Sequence, residues 1–219
     1  NMCGRFTLHT PIEEIVERFS LPDLPFSYIP SYNIAPTHSV LSIIVAEGVR
    51  SASLMRWGIT PPWLKKGQSG TPLINARLET LDTKPTFRGL ANSQRCLIIA
   101  DGFYEWKQEK SRKYPVYIRL EGGKPFAFAG LWTNGTTPSC TIVTQEANKL
   151  IQPIHSRMPV ILSPESEELW LSQVSFNEIR SSLPDQDTRQ FDYYYVSTLV
   201  NSPRNNEAAC ILPISELPK

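Results

Sequence analysis

Proline is the feature of this chain that most restricts what it can fold into. It supplies 19 of 219 residues, or about 9%, against roughly 5% in an average protein. Because proline fixes φ and lacks a backbone N–H, it interrupts helices and avoids central strands. Long helices are therefore disfavoured, and short strands joined by shaped loops are favoured. No apolar run approaches the roughly 20 residues that cross a bilayer, and the chain shows no signal segment, so we expect a cytoplasmic protein without membrane contact.

Strand signals dominate the sequence. Two hairpin turns are predicted, at Glu47-Gly48 and at residues 121–125. The elements show no regular βαβ alternation, which predicts one α+β domain built on a strongly bent sheet. Seven β-branched or aromatic runs, most of them bounded by turn residues, predict strands at 40–46, 51–57, 96–100, 114–120, 126–131, 140–143 and 193–196.

Helix signals are fewer. The segment 10–19 combines a threonine N-cap, a first-turn proline, a capping-box glutamate and apolar residues at helical spacing. A serine and a proline open a second helix of the same design over 163–170. A third helix is predicted over 146–150 with Thr144 as its cap, and a short fourth over 176–182.

The cysteines do not indicate a disulfide scaffold or a metal site. They stand at positions 3, 96, 140 and 210, far apart, and the chain has only three histidines. Cys96 and Cys140 lie in apolar runs and are predicted to be buried core thiols. Cys3 differs, because nothing around it calls for a core residue. We expect no metal and no cofactor.

The net charge of +1 hides an uneven distribution. Residues 56–119 contain twelve basic and five acidic side chains, a net of +7, so the rest of the chain carries −6. The basic stretch is interleaved with Trp57, Trp63, Trp106 and other aromatic residues. Cations next to rings suit a phosphate backbone with exposed bases. A solvated basic face over core aromatics explains the charge equally well.

Three polar clusters interrupt apolar segments. Asn75 follows an apolar approach, Glu105 stands between two large rings, and His155 lies next to a cation. Taken singly, each is typical of a satisfied buried polar group or a turn residue. Together with Cys3 they supply an amide, a carboxylate, an imidazole and a thiol, which are the parts of a covalent-catalysis site. Composition alone does not establish that they converge.

These residues fall in blocks that resemble one family. The chain resembles the SRAP family (SOS-response-associated peptidase, the abasic-site crosslinking proteins), and the likeness covers almost all of it, from residue 2 to beyond 200. The blocks, in the family's order, are residues 2–6 (MCGRF), 32–36 (YNIAP), 56–58 (RWG), 74–80 (INARLET), 101–106 (DGFYEW) and 155–159 (HSRMP).

The resemblance implies a fold and an activity. The fold is a single α+β domain over residues 2–219, with a β-barrel-like, strongly bent antiparallel or mixed sheet and a few short flanking helices. The activity is binding of single-stranded DNA and covalent capture of abasic sites, by a protein that we expect to be a monomer. Lyase activity and limited self-directed peptidase activity are implied as further reactions.

The resemblance also implies roles for individual side chains. Cys3 forms the crosslink, Glu105 is the acid/base that opens the sugar ring, His155 transfers protons, and Asn75 holds the amine or the sugar. Burial of Glu105 between its neighbours would raise its pKa and suit it to this task. The candidate DNA-binding residues are Arg5, Asn33, Pro36, Trp63, Arg77, Lys84, Arg88, Trp106 and Arg157.

The expected chemistry needs a free cysteine amine. An abasic sugar exposes an aldehyde when its ring opens; the amine forms an imine, and the thiolate then closes a thiazolidine. An α-amine has a pKa of about 7.7–8.0 against about 10.4 for lysine, so it is nucleophilic near neutrality. Cys3 follows Asn1 and Met2, so Met2 must be removed first. Asn1 is interpreted as a remnant before the natural start.

Two other readings stay open. Cys3 as nucleophile, His155 as base and Asn75 as orienting group would make a cysteine hydrolase. A non-catalytic single-strand binding module would need only the basic segment. A peptide-cleavage assay separates the first from DNA crosslinking, and a Cys3→Ala variant separates the second.

Overall fold

The computed structural model describes residues 3–61, 63–64, 70–184 and 191–217. The predictions about Asn1 and Met2, and the last two residues of the predicted domain, lie outside this range. The helices are α1 Ile12–Phe19, α2 Arg88–Ser93, α3 Pro164–Leu171 and α4 Phe176–Ser182. The strands are β1 Phe6–Leu8, β2 Ser31–Ile34, β3 Ser39–Ala46, β4 Val49–Trp57, β5 Asn75–Arg77, β6 Arg95–Ala100, β7 Gly102–Glu109, β8 Arg112–Leu120, β9 Phe126–Thr133, β10 Ser139–Glu146, β11 Arg157–Pro159, β12 Ile161–Leu162 and β13 Phe191–Tyr195.

The strands form two sheets. One is antiparallel, in the order β13-β8-β7-β1-β2. The other runs β11-β10-β4-β3-β6-β9-β12, with β5 parallel to β10. Strand β10 also pairs with β9, which closes the path β10–β4–β3–β6–β9 into a ring. The closed path confirms the predicted α+β fold with a strongly bent sheet.

Aromatic side chains join the two sheets. The Phe6 ring on β1 lies 5.0 Å from the Trp57 ring on β4 and 5.6 Å from the Phe128 ring on β9. All three side chains are fully buried, and burial of each stabilises the fold by roughly 1.5–3 kcal/mol. Because Cys3 lies three residues before Phe6, this packing also fixes the segment that carries the thiol.

Asp101 forms the corner at which the chain passes from β6 into β7. Its buried carboxylate accepts hydrogen bonds from the backbone N–H groups of His9 (2.7 Å) and Thr10 (2.8 Å) and from the Thr7 hydroxyl (2.5 Å). The carboxylate therefore ties the end of β1 to the corner between the sheets. Gly102 follows it because a Cβ there would lie 2.1 Å from the Tyr117 hydroxyl.

Three of the four predicted helices are present. Helix α1 begins at Ile12, but its predicted capping box is wrong: the Thr10 hydroxyl donates to Asp101 instead. Helices α3 and α4 are confirmed, and a serine caps each. The predicted helix over 146–150 is wrong, because β10 continues to Glu146 and the Asn148 side chain then accepts two backbone N–H groups in a turn.

One of the two predicted hairpins is present. Glu47 and Gly48 have φ of 52° and 79°, which suits the tight turn between β3 and β4. The hairpin at residues 121–125 is wrong, because β8 and β9 belong to different sheets and a short 3-10 turn over Glu121–Gly123 leads from one to the other. In the described part of the chain, no helix is long and apolar enough to cross a membrane.

Candidate active site

The pairing of β1 with β7 brings Cys3 to Glu105. Phe6 lies opposite Phe103, and the Tyr104 N–H donates to the Arg5 carbonyl at 3.0 Å. Continuing this antiparallel path toward residue 3 places the Cys3 backbone beside Glu105. The Cys3 nitrogen donates to Glu105 Oε1 at 2.8 Å. Two predicted site residues 102 positions apart are therefore in direct contact.

Both groups are removed from water. Cys3 is fully buried and Glu105 is 2% exposed. Burial raises the pKa of the Cys3 thiol well above its ordinary value, and the nearby Glu105 carboxylate adds to the rise. Burial also raises the pKa of Glu105 to about 7, although the Cys3 N–H partly offsets it. Glu105 therefore exchanges protons near neutral pH, as a general acid/base must.

His155 has a defined tautomer. Its Nδ1 accepts the backbone N–H of Arg157 at 3.1 Å, so the proton of the neutral ring stands on Nε2. Partial burial lowers the pKa of His155, and the Lys113 and Arg157 cations lower it further. Lys113 also acts on Glu105. The charge of one ammonium thus lowers the pKa of both Glu105 and His155.

Asn75 presents an unused donor. It opens β5, beside Ile142 of β10, and the Trp57 indole anchors this strand by donating to the Ile74 carbonyl at 3.0 Å. The Asn75 Nδ2 is buried and has no hydrogen-bond partner among the described residues. An unsatisfied buried donor costs about 1–3 kcal/mol, so the amide is suited to a ligand.

Arg77 lies on the same face as Asn75, because side chains alternate along a strand. It is exposed, and its guanidinium makes no hydrogen bond or ion pair to residues 3–61, 63–64, 70–184 and 191–217, although its charge helps to lower the pKa of Glu79. It therefore stays available for a phosphate. Trp63 is 66% exposed, and Pro36 is half-buried. Lys84 and Arg88 are exposed; Lys84 lies before α2 and Arg88 is its first residue.

Arg5 and Asn33 are committed to the protein itself. Arg5 donates to Asn33 Oδ1 at 2.9 Å and to the carbonyls of Val200 (2.7 Å) and Asn201 (3.1 Å). Asn33 has no exposed surface, and its amide donates to three carbonyls between residues 200 and 205. Asn33, a candidate DNA-binding residue, thus holds Arg5 and the segment at 200–205 in place.

Trp106 and Arg157 also have partners. The Trp106 indole donates to Asn201 Oδ1 at 2.8 Å. The Arg157 guanidinium makes two hydrogen bonds to Glu79, at 2.6 and 3.0 Å. Trp106 therefore has its ring, and not its N–H, available for a ligand. While the pair of Arg157 with Glu79 is intact, Arg157 contributes little to phosphate binding beyond its positive charge.

The basic segment is not one continuous basic surface. Arg95 is buried and donates to the Trp170 carbonyl at 2.6 Å. Lys107 pairs with Glu109 at 2.9 Å, and Arg119 pairs with Asp192 at 3.3 Å. These cations serve the fold, which leaves a smaller set for DNA than the net of +7 suggested.

Sequence reasoning missed Glu79 and Lys113. The carboxylate of Glu79 gives no local signal in the sequence, because its partner Arg157 is 78 positions away. Lys113 stands in the turn-proximal part of β8, where a lysine is usually a solvated surface residue. Among the described residues, no group of three or more histidine, cysteine or acidic side chains could hold a metal ion.

The fold and the site together define a family. A family model described as SOS response associated peptidase (SRAP) matches residues 2–203, and the chain belongs to this family. It is 43% identical over 221 residues to the abasic site processing protein YoqW of Bacillus subtilis (strain 168), covering 96% of this chain and 99% of that protein.

Two further comparisons agree with this assignment. The chain is 32% identical over 233 residues to the abasic site processing protein YedK of Escherichia coli (strain K12), covering 97% of this chain and all of that protein. A solved structure of a protein from Bacteroides thetaiotaomicron has a TM-score of 0.84 at 24% identity, covering 97% of this chain and 100% of the other. This likeness shows the shared fold.

Proposed function

We propose that the protein binds single-stranded DNA and captures abasic sites covalently through Cys3, once the residues before Cys3 have been removed. The observation that carries the proposal is the 2.8 Å contact between the Cys3 nitrogen and Glu105 Oε1, a buried carboxyl with a pKa near 7. The names of the relatives YoqW and YedK, abasic site processing proteins, support abasic DNA as the substrate.

Glu105 would control the proton on the terminal amine. An N-terminal ammonium has a pKa of about 8 in water. Once Cys3 begins the chain, this ammonium would take the place of the N–H that donates to Glu105 Oε1, so the carboxylate would be in position to accept its proton. The transfer frees the amine as a nucleophile and leaves Glu105 protonated. The acid is then ready to protonate the ring oxygen of the closed sugar as the aldehyde forms.

The covalent steps follow from the two nucleophiles of Cys3. The amine attacks C1 of the opened sugar, and the carbinolamine loses one water to give an imine. The sulfur then adds to the imine carbon, and the thiol proton ends on the nitrogen, which closes the thiazolidine. Because burial raises the thiol pKa, little thiolate exists before the imine forms, and the imine nitrogen is the natural acceptor of that proton.

His155 and Asn75 would assist these steps. The Nε2 proton of His155 suits donation to a leaving hydroxyl, because Nδ1 is already occupied by the Arg157 N–H. The Asn75 Nδ2, which has no hydrogen-bond partner in the described part of the chain, would donate to a sugar oxygen. Reversal or strand cleavage would draw on the same two groups.

The strand would be bound by the side chains that the fold leaves uncommitted. Arg77, next to Asn75, would contact a phosphate, and the exposed Trp63 ring would stack on a base. Lys84 and Arg88 would extend this surface. Arg5, Asn33 and Trp106 would act indirectly, by holding the segment at 200–205 beside the site.

A crosslinking assay tests the proposal. Protein that begins at Cys3 is incubated with a single-stranded oligonucleotide containing one abasic site and run on a denaturing gel. We expect a shifted band with the processed protein and none with Cys3→Ala or with an intact oligonucleotide. Cys210→Ala, which removes another buried thiol, is the matched control and should crosslink normally. Equal crosslinking by unprocessed protein would contradict the proposal.

A general cysteine peptidase fits the geometry less well. The thiol is fully buried and its pKa is raised, whereas peptidase cysteines need an accessible thiolate. The Glu105 contact is made to the nitrogen of the bond that precedes Cys3, so self-directed cleavage is the one peptidase reaction this arrangement favours.

A further inference from the structure

We propose that Glu79 is a positioning residue for His155, acting through Arg157. The inference rests on the proposed function, in which His155 moves protons at the damaged sugar. This role does not require Glu79 or its ion pair with Arg157 to contact the DNA. Two consecutive contacts, one made by the Arg157 guanidinium and one by the Arg157 backbone N–H, link the carboxylate after β5 to the imidazole before β11.

The first contact is a bidentate ion pair. Arg157 Nη1 lies 2.6 Å from Glu79 Oε1, and Nη2 lies 3.0 Å from Oε2. Nη2 also donates to the Thr144 carbonyl on β10 at 3.0 Å. A planar guanidinium with both ends held in this way has little rotational freedom. The Arg157 side chain is 11% exposed, so water competes weakly for these hydrogen bonds.

The second contact lies in the backbone of the same residue. Arg157 opens β11 opposite Glu146, and its N–H donates to His155 Nδ1 at 3.1 Å. The His155 N–H in turn donates to the Ile151 carbonyl at 2.9 Å. The tautomer and direction of the imidazole therefore depend on where the backbone of Arg157 sits. The guanidinium clamp fixes that position.

The third feature is the location of Glu79. It belongs to the short 3-10 turn Leu78–Thr80 that follows β5, the strand that carries Asn75. The ion pair therefore links the segment bearing the proposed amide donor to the segment bearing the proposed imidazole. Burial opposes ionisation of Glu79, but the hydrogen bonds from Arg157 and from the Glu79 backbone, together with the charges of Arg157 and Arg77, outweigh it and lower the pKa. The carboxylate thus stays charged around neutral pH.

If the ion pair of Arg157 with Glu79 had a different role, a different experimental result would be expected. If Arg157 were mainly a phosphate contact, Glu79 would compete with DNA for the guanidinium. Removing Glu79 would then strengthen DNA binding and leave the imidazole unchanged. If Glu79 positions His155, its removal loosens the Arg157 backbone and alters the imidazole even without DNA.

The test uses the full chain processed to begin at Cys3, with Glu79→Ala, the conservative Glu79→Gln, and Asp192→Ala as the matched control. Asp192 is also a half-exposed carboxylate paired with an arginine, Arg119 (49% against 45% exposed), but its partner is remote from His155 in sequence and lies in the other sheet. The ¹⁵N chemical shifts of the His155 ring report its tautomer in the free protein. Single-turnover crosslinking to abasic single-stranded DNA reports the rate.

We expect Glu79→Ala to mix the two neutral tautomers of His155 and to slow crosslinking about tenfold at saturating DNA, within the roughly 100-fold that misplaced groups can cost. Glu79→Gln, which keeps one acceptor for Arg157, should recover part of the rate, and Asp192→Ala should match the parent. An unchanged tautomer with an unchanged rate, or tighter DNA binding alone, would overturn the inference. Failure of the parent protein to crosslink would refute the proposed function instead, while the tautomer measurement would still decide the role of Glu79.

Discussion

Replacing Glu105 by glutamine is expected to remove activity and to stabilise the protein at high pH. The carboxyl is 2% exposed, and its pKa is raised from 4.5 to about 7. The folded state therefore holds a proton that the unfolded state loses between pH 4.5 and 7, so stability falls as pH rises through that window. Glutamine keeps the oxygen that accepts the Cys3 N–H and cannot ionise, so it avoids this penalty.

The size of the effect follows from the shift. Full ionisation of a carboxyl whose pKa is raised from 4.5 to about 7 costs roughly 3 kcal/mol, and most of that cost develops between pH 5 and pH 8. For a chain of this length that corresponds to roughly 5–10 °C in melting temperature. The gain of Glu105→Gln over the parent should therefore be small at pH 5 and close to this value at pH 8.

Urea unfolding at several pH values measures this difference directly. Glu109→Gln is the control, because Glu109 lies on the same strand but its hydrogen bonds from Tyr195 and Lys107 lower its pKa. That variant should show no gain at pH 8. A difference between Glu105→Gln and the parent that does not change with pH would refute the assignment of a raised pKa to Glu105.

Three further substitutions have definite expected outcomes. Arg77→Ala should weaken single-stranded DNA binding for all sequences and reduce the slope of log K against log salt by about 0.7, whereas the paired Arg119 should give a smaller change; equal slopes for Arg77→Ala and the parent would contradict this. Trp63→Ala should lose about 1–3 kcal/mol of binding from stacking, and the similarly exposed Val49→Ala should lose none; equal titration curves would remove Trp63 from the DNA surface. Gly102→Ala should destabilise the fold by about 3 kcal/mol because its Cβ meets the buried Tyr117 ring, while Gly89→Ala, with open space around it, should be neutral or stabilising in thermal unfolding; an unchanged melting temperature for Gly102→Ala would show that Tyr117 can move.

Among the described residues, local patterns predicted seven of the thirteen strands and three of the four α-helices, because period-2 and helical spacing depend on near neighbours. They failed where a distant partner decides the outcome. Thr10 stands at the position where a helix cap is expected, yet its hydroxyl donates a hydrogen bond to Asp101. The glycine-rich segment at 121–125 looks like a hairpin turn, yet its flanking strands join different sheets. Neither partner is visible in a window of a few residues.

The residues of the candidate site also divide into those that local sequence patterns predicted and those that depend on distant partners. Asn75, Glu105 and His155 were predicted because each polar group interrupts an apolar segment, and Cys3 because nothing around it calls for a core residue. The family resemblance joined the four, and the contact between Cys3 and Glu105 agrees with that grouping. The basic surface was harder to predict, because the sequence does not distinguish an arginine or lysine that is free to bind DNA from one that is paired within the protein. The Arg5 and Val200 contact spans 195 positions. Only the fold separates Arg5, whose guanidinium is hydrogen-bonded within the protein, from Arg77, whose guanidinium makes no hydrogen bond to the described residues.

The intact mass of the crosslink tests the central claim most directly. Protein beginning at Cys3 is incubated with an abasic single-stranded oligonucleotide, and the adduct is measured before and after borohydride treatment. A thiazolidine at Cys3 predicts the summed mass minus one water, unchanged by the reductant, with the modification mapped to the Cys3 peptide. An adduct that gains two hydrogens on reduction, a modification at another residue, or no adduct at all would contradict the account.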